Sequence, residues 1–170
     1  MIFRPSIQFG PEDNFFNKFA NMARYSPALP LIGGKTKFQL VYVGDVAEAI
    51  ARSVDGKVEG GKIYELGGPE VLTFRECMEE MLETIGRKRV LLPIPFPIAS
   101  LMGSVLGILP GRMLTRDQVT MLRSDNVVSD AAAKENRTLP GLGIQPKSTE
   151  AILPSYLWRY RPAGQFTKLA

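Results

Sequence analysis

The sequence predicts an α/β fold, and three observations carry that expectation. Short apolar runs end in glycine or proline, as strands do: residues 2–9 before Gly10-Pro11, residues 38–43 before Gly44, and residues 62–66 before Gly67-Gly68-Pro69. Between them lie segments with apolar residues at helical spacing. The two patterns alternate along the chain, which is how α/β architectures are written.

Residues 2–9 predict a first strand followed by a turn. Residues 14–25 place Phe15, Phe16, Phe19, Met22 and Ala23 at helical spacing, with Glu12 and Asp13 suited to the helix start and Pro27 and Pro30 closing it. A turn falls between Leu31 and Phe38. Residues 38–43 predict a second strand, after which Asp45 suits the cap of a helix over 46–54. Residues 62–66 predict a third strand. Thr73-Phe-Arg-Glu76 has capping-box spacing and opens an amphipathic helix to about Ile85, with Gly86 as its stop. Residues 90–93 predict a fourth strand. An apolar helix over 98–109, a helix near 115–124 started by Thr115, and a last helix near 148–159 started by Ser148 complete the order. Residue 2 already lies inside a strand with no earlier element to pair against, so the chain reads as the second part of a larger unit.

Composition excludes several chemistries. The 170 residues are 45% hydrophobic and 22% charged, the balance of a globular chain able to bury a core. There is no histidine, so no Ser-His-Asp triad and no histidine metal site are possible. Cys77 is the only cysteine, which excludes an intrachain disulfide and a thiolate zinc cluster. No metal site is expected. The net charge of +4 is local: residues 1–110 carry 12 basic and 12 acidic side chains, residues 111–170 carry 9 and 5. That bias suits an anionic membrane surface, an acidic partner or a phosphate, and is too scattered for a nucleic-acid footprint. Residues 90–111 carry no charge, but Pro93, Pro95 and Pro97 interrupt the first half. The remaining 98–109 is roughly 18 Å of helix. It does not span a bilayer.

Most motif tests fail. Gly33-Gly34-Lys35-Thr36 resembles the tail of a phosphate-binding loop, but Leu29 stands where that loop needs its first glycine. No Gly-x-Gly-x-x-Gly and no Tyr-x-x-x-Lys occurs, so no catalytic residue is assigned. Glu76, Glu79, Glu80 and Glu83 read as one solvated helix face, and Cys77 as a packing residue. Tyr156, Trp158, Tyr160 and Phe166, interleaved with Arg159 and Arg161, read first as packing and second as a partner or membrane contact.

Arg4-Pro-Ser-Ile-Gln-Phe-Gly-Pro11 and Val41-Tyr-Val-Gly-Asp-Val-Ala47, with Tyr64-Glu-Leu-Gly-Gly68 followed by Thr73 and a helix, resemble the extended short-chain dehydrogenase/reductase superfamily of epimerase/dehydratase-like proteins. Asp13-Asn-Phe-Phe-Asn17, Asp117-Gln-Val119, Ser124-Asp-Asn-Val-Val128 and Ala151-Ile-Leu-Pro-Ser-Tyr-Leu-Trp-Arg-Tyr-Arg-Pro162 are similar to its atypical branch. That branch contains the nucleotide-binding accessory subunit of respiratory complex I and its bacterial relatives.

The resemblance implies one C-terminal fragment. In it the last strands of a Rossmann-like sheet (around 2–9, 46–54 and 62–85) join a small substrate-side α/β domain (around 11–43 and 90–160). NAD(P)H is the cofactor of full-length members; without the glycine-rich half, no binding or weak binding is expected of this chain alone. What remains is the rim of the nicotinamide pocket, Pro5, Ser6 and Ile7, with Arg4 read equally as rim or as a structural strand-edge residue. The implied function is a structural or assembly role in complex I. A second reading is the substrate-binding half of a working oxidoreductase or epimerase that needs a separate N-terminal half, and a third is an interaction module that never binds nucleotide. Implied partners are a second copy, the missing half or respiratory complex I subunits, with peripheral membrane contact a further option and no nucleic acid. The implied location is the cytoplasm, the inner face of a bacterial inner membrane, or the mitochondrial matrix side.

Overall fold

A computed structural model of the protein describes residues 1–99 and 116–166. The first predicted strand is in fact two. β1 (Ile2–Pro5) pairs in parallel with β6 (Ile63–Leu66), Pro5 opposite Leu66. β2 (Gln8–Phe9) leaves that partner and pairs in parallel with β5 (Val41–Tyr42). The exchange occurs across Ser6 and Ile7. The Ser6 N–H still donates to the Leu66 carbonyl at 2.9 Å, while the Ile7 carbonyl accepts from the Val41 N–H at 3.0 Å. Two strands that were neighbours in sequence thus diverge toward different partners, and a fork opens between them.

α1 (Phe16–Tyr25) follows, then a strand the sequence reading lacked: β3 (Ala28–Ile32), paired in parallel with β8 (Val90–Ile94). Pro30 stands opposite Leu92 and Pro93 opposite Leu31. Each strand has one ladder partner among the described residues, so a proline can turn its missing N–H to the unpaired side. The second predicted strand is also split. β4 (Lys37–Phe38) pairs antiparallel with β7 (Leu72–Thr73), and Gln39 and Leu40 separate it from β5.

α2 (Val43–Val54) begins three residues early, which corrects the expected cap. Tyr42 is its N-cap residue, and Asp45 lies inside the first turn, 2% exposed. Its Oδ2 accepts instead from the Lys147 N–H at 2.8 Å, tying down a loop 102 residues away. α3 (Phe74–Thr84) matches expectation closely. Thr73 Oγ1 accepts from the Glu76 N–H, Glu76 Oε2 accepts from the Thr73 N–H, and Gly86 at φ +62° ends the helix.

Residues 100–109 of the helix predicted over 98–109, and its neighbour's start at Thr115, lie outside the described residues. Residues 96–99 open a helical turn two positions earlier than expected, with the Ala99 N–H on the Pro95 carbonyl. α4 (Arg116–Met121) falls where a helix is expected. α5 (Asp130–Lys134), capped by Ser129, has no counterpart in the sequence reading. α6 (Thr149–Leu157) starts at Ser148 as expected and runs into a 3₁₀ turn over Trp158–Tyr160.

Two hydrophobic cores flank the fork. One joins Phe9, Phe16, Leu29, Phe74, Met78, Leu153 and Leu157, so it knits α1, β3, α3 and α6 together. The other joins Val41, Val46, Tyr64, Leu66, Leu139 and Ile144 beneath α2 and β6. Each such side chain contributes roughly 1.5–3 kcal/mol on burial. The fork is therefore held from both sides. Among the described residues no helix is long and apolar enough to cross a membrane.

Candidate functional site

In open parallel sheets, ligands bind outside the carboxyl ends of strands, where neighbours part. Pro5 and Leu66 are such ends, and the chain parts at Ser6. A cleft of about 490 Å³ opens there, lined by Arg4, Pro5, Ser6, Glu65 and Leu66 on the strand side and by residues 124–129 opposite. Ser6 is nearly buried and its hydroxyl donates to the Asn126 carbonyl at 3.2 Å. Pro5 is exposed, and Ile7 is half-buried and faces a different space, an apolar pocket of about 200 Å³. Of the three rim residues expected from sequence, Pro5 and Ser6 therefore line one cavity and Ile7 another. Arg4, exposed, lines the first.

The opposite wall is fastened to the sheet residue by residue. The Lys37 N–H donates to Asp125 Oδ1 (2.8 Å), the Asn126 N–H to the Lys37 carbonyl (2.8 Å), and the Gln39 N–H to the Asn126 carbonyl (2.9 Å). The Gln39 amide then works at both ends. Its Nε2 donates to the Gly68 carbonyl and its Oε1 accepts from the Val128 N–H, each at 2.9 Å. Gly68 must be glycine at this point, since a Cβ would lie 2.0 Å from the Leu40 carbonyl oxygen. Sequence reasoning gave Gln39 no role. Its signal was weak: one polar residue inside an apolar run, at the place where the strand breaks.

A second cleft, about 500 Å³, lies between the end of β2 and the start of α1. Asp13 organises it. Oδ1 accepts from the Phe15 and Asn17 N–H groups, and Oδ2 from the Gly10 N–H and the Tyr156 phenol. Arg159 donates to the Pro11 carbonyl and to Asn17 Oδ1, Tyr160 to the same Oδ1, and Arg161 to the Thr84 carbonyl. Residues 156–161 thus pack onto α1 and α3, while Trp158 and Phe166 stay exposed.

The expected solvated row of carboxylates needs one correction. Glu76 caps its helix and Glu79 pairs with Arg75, both exposed, but Glu80 is half-buried against α6. Its Oε2 accepts from the Thr149 hydroxyl at 2.9 Å, while Oε1 is buried without a partner. Burial raises its pKa, and Glu70, Glu150 and Glu83 add to the rise against the Thr149 hydrogen bond. Cys77 is fully buried, and burial pushes its thiol up to about 12. It packs, as expected. Among the described residues no three His, Cys, Asp or Glu side chains group as a metal site would need.

No protein-family model matches the chain. It is 35% identical to NADH dehydrogenase (ubiquinone) 1 alpha subcomplex subunit 9, mitochondrial, of Arabidopsis thaliana, over 96% of this chain and 42% of that protein. The Rattus norvegicus protein of the same name is 33% identical over 95% of this chain and 42% of its own length. The NADH-ubiquinone oxidoreductase 40 kDa subunit of Neurospora crassa is 27% identical over 94% and 41%. The chain spans less than half the length of these curated relatives. Among solved structures, a Thermus thermophilus UDP-glucose 4-epimerase in complex with NAD superposes with a TM-score of 0.62 at 21% identity, covering 95% of this chain and 46% of that one. A human epimerase family protein with NADPH gives 0.67 at 18%, covering 91% and 47%. At such identities the likeness is one of fold, the Rossmann-like α/β architecture that the sequence predicts.

Proposed function

We propose that this homologue of the mitochondrial alpha subcomplex subunit 9 is the substrate-side half of an extended short-chain dehydrogenase/reductase unit. Its role is structural or in assembly, within a respiratory NADH:ubiquinone oxidoreductase on the matrix side or the bacterial equivalent, with the nicotinamide end of a nucleotide against Pro5 and Ser6, while Ile7 lines the neighbouring apolar pocket. The fork at Ser6 carries this reading. It supplies a cleft at the carboxyl ends of parallel strands, and its polar centre is already locked. The Ser6 N–H is on Leu66 and its hydroxyl on Asn126, so Pro5 is presented as a fixed apolar surface beside a polar wall. That suits the flat, weakly polar nicotinamide end of a dinucleotide. The pyrophosphate end needs the N–H groups of a glycine-rich turn and helix start. Those must come from residues outside this sequence, which has no such motif.

On this reading residues 2–9, 46–54 and 62–85 form the Rossmann part. Both cores span the two parts: Phe9, Phe74 and Met78 pack with Leu29 and Leu153 in the core under α1, α3 and α6, and Leu139 and Ile144 close the core under α2 and β6. A thermal melt tests the nucleotide claim. The chain alone should melt at the same temperature with and without about 1 mM NADPH, because half a site binds too weakly to shift the equilibrium. Adding the part of the Arabidopsis relative that lies outside the matched 42% should raise the midpoint by several degrees when NADPH is present. A shift with the chain alone would overturn the half-site claim, and no shift with both halves would overturn the nucleotide claim. For the assembly role, cells lacking the chain should lose the intact oxidoreductase on native gels; an unchanged band overturns it.

A further inference from the structure

We infer that the apolar pocket beside Ile7 binds a small uncharged aromatic molecule of one or two rings. The pocket holds about 200 Å³ and is walled by Ile7, Phe15, Phe19, Phe74, Met121 and Leu122. Its aromatic walls brace one another. Phe19 and Phe74 stand 5.5 Å apart at 64°, Phe15 and Phe74 5.8 Å apart at 48°, and Phe38 backs Phe74 edge-on at 6.0 Å and 89°. Such offset and edge-to-face contacts are favourable in themselves. They keep the walls from collapsing inward, while Phe15 and Phe19, half-buried, leave part of their rings to the cavity.

The lining chooses the ligand. A sugar or phosphate seated on the ring faces, rather than at Asn14, Lys18 or Asn126, would leave hydroxyls or charges without partners, at about 1–3 kcal/mol for each hydroxyl. An aromatic ring gives up no hydrogen bond. Apolar cavities of about 150 Å³ take up benzene, so this one has room for one ring or a fused pair. Among the described residues the polar groups of the lining are Asn14, Lys18 and Asn126. The Asn126 backbone is already committed to Lys37, Gln39 and Ser6, so that corner is fixed in place.

The pocket and the fork cleft share Met121 and Asn126, with Ser6 and Ile7 between them. That the ligand would lie beside a nucleotide rests on the function proposed above; its binding does not.

Indole serves as the probe, titrated into the full chain carrying ¹³C-labelled phenylalanine. Saturable shifts in the Phe15 and Phe19 rings are expected, with no response to glucose 1-phosphate at the same concentration. Leu122→Phe and Ile7→Phe fill the space from two walls, and each should weaken indole at least tenfold while leaving the other backbone resonances in place. Absence of saturation overturns the inference, and so does unchanged affinity in whichever filled variant keeps the wild-type spectrum. Movement of the same rings with glucose 1-phosphate overturns the ligand class. NADPH melts with both halves present report on the fork, so indole binding with no NADPH shift in that pair would leave this inference standing and remove the nucleotide claim.

Discussion

The Tyr156 phenol donates a 2.6 Å hydrogen bond to Oδ2 of Asp13, joining the last helix to the loop before the first across 143 positions. The same carboxylate accepts from three backbone N–H groups, those of Gly10, Phe15 and Asn17. Burial first, then the Asp13 carboxylate, raises the Tyr156 pKa, so the folded state holds it as the donor.

Tyr156→Phe removes one hydrogen bond to a charged acceptor and should cost about 1.5–3 kcal/mol. Asp13→Ala should cost more, because it leaves three backbone donors and a phenol to find water. Urea unfolding of both variants checks the order. The tyrosine also carries a pH signature. Its folded pKa lies above the unfolded value, so its contribution is complete below about pH 10 and is lost as pH climbs beyond that. Wild-type stability should therefore fall faster above pH 10 than that of Tyr156→Phe.

What could be read from the sequence was what is local. The Thr73 and Glu76 box, the Gly86 stop and the Ser148 cap need only neighbours within a turn, and each stands where expected. The fork was hidden because Ile2 to Phe9 is one apolar run. Only Leu66 and Val41, distant in sequence, pull its halves apart. β3 was hidden because Pro27 and Pro30 argue against a strand until Val90–Ile94 is seen to occupy one edge only. Asp45 had the right position for a cap, but Lys147 claimed its carboxylate. The candidate site shares this limit. Pro5, Ser6 and Ile7 could be singled out by resemblance, whereas the Gln39 bracket and the divided cavities depend on contacts dozens of residues apart.

Two glycines of similar setting in sequence should behave oppositely. Gly68→Ala places a Cβ 2.0 Å from the Leu40 carbonyl oxygen, at the turn that Gln39 holds against the cleft wall. Backbone must move, at a cost of about 3 kcal/mol or more. Gly60 has nothing within 4 Å of its Cβ direction. Gly60→Ala should be neutral or add about 0.4–1 kcal/mol by restricting the unfolded chain. Denaturant midpoints separate the two.

Glu80 gives stability an acid-side dependence. Its folded pKa is raised, chiefly by burial, so its protonated form suits the fold and ionisation works against it. That contribution is whole below the ordinary glutamate range and is lost as pH rises through the higher folded value. Glu70, Glu83 and Glu150 share the cleft, and Arg161 is the cation lining it. Glu80→Gln should raise the melting midpoint at pH 7 by on the order of a degree or two, and the gain should vanish near pH 4. A gain that persists at pH 4 would assign the effect to packing instead.

β1 has one strand neighbour, β6, among the described residues, and its start is apolar and open: Met1 is 45% and Ile2 55% exposed. An unpaired edge of this kind recruits another strand. The chain by itself should self-associate with rising concentration, and light scattering should show it. Ile2→Lys places a charge on that edge and should return the protein to monomer without changing its circular dichroism. If the edge is where a glycine-rich half docks, adding that half should dissolve the self-associated species into one-to-one complexes. A wild-type chain that stays monomeric throughout would mean the edge is already protected, and the docking surface must be sought elsewhere, with the exposed Ile50 and Val54 of α2 the next place to probe.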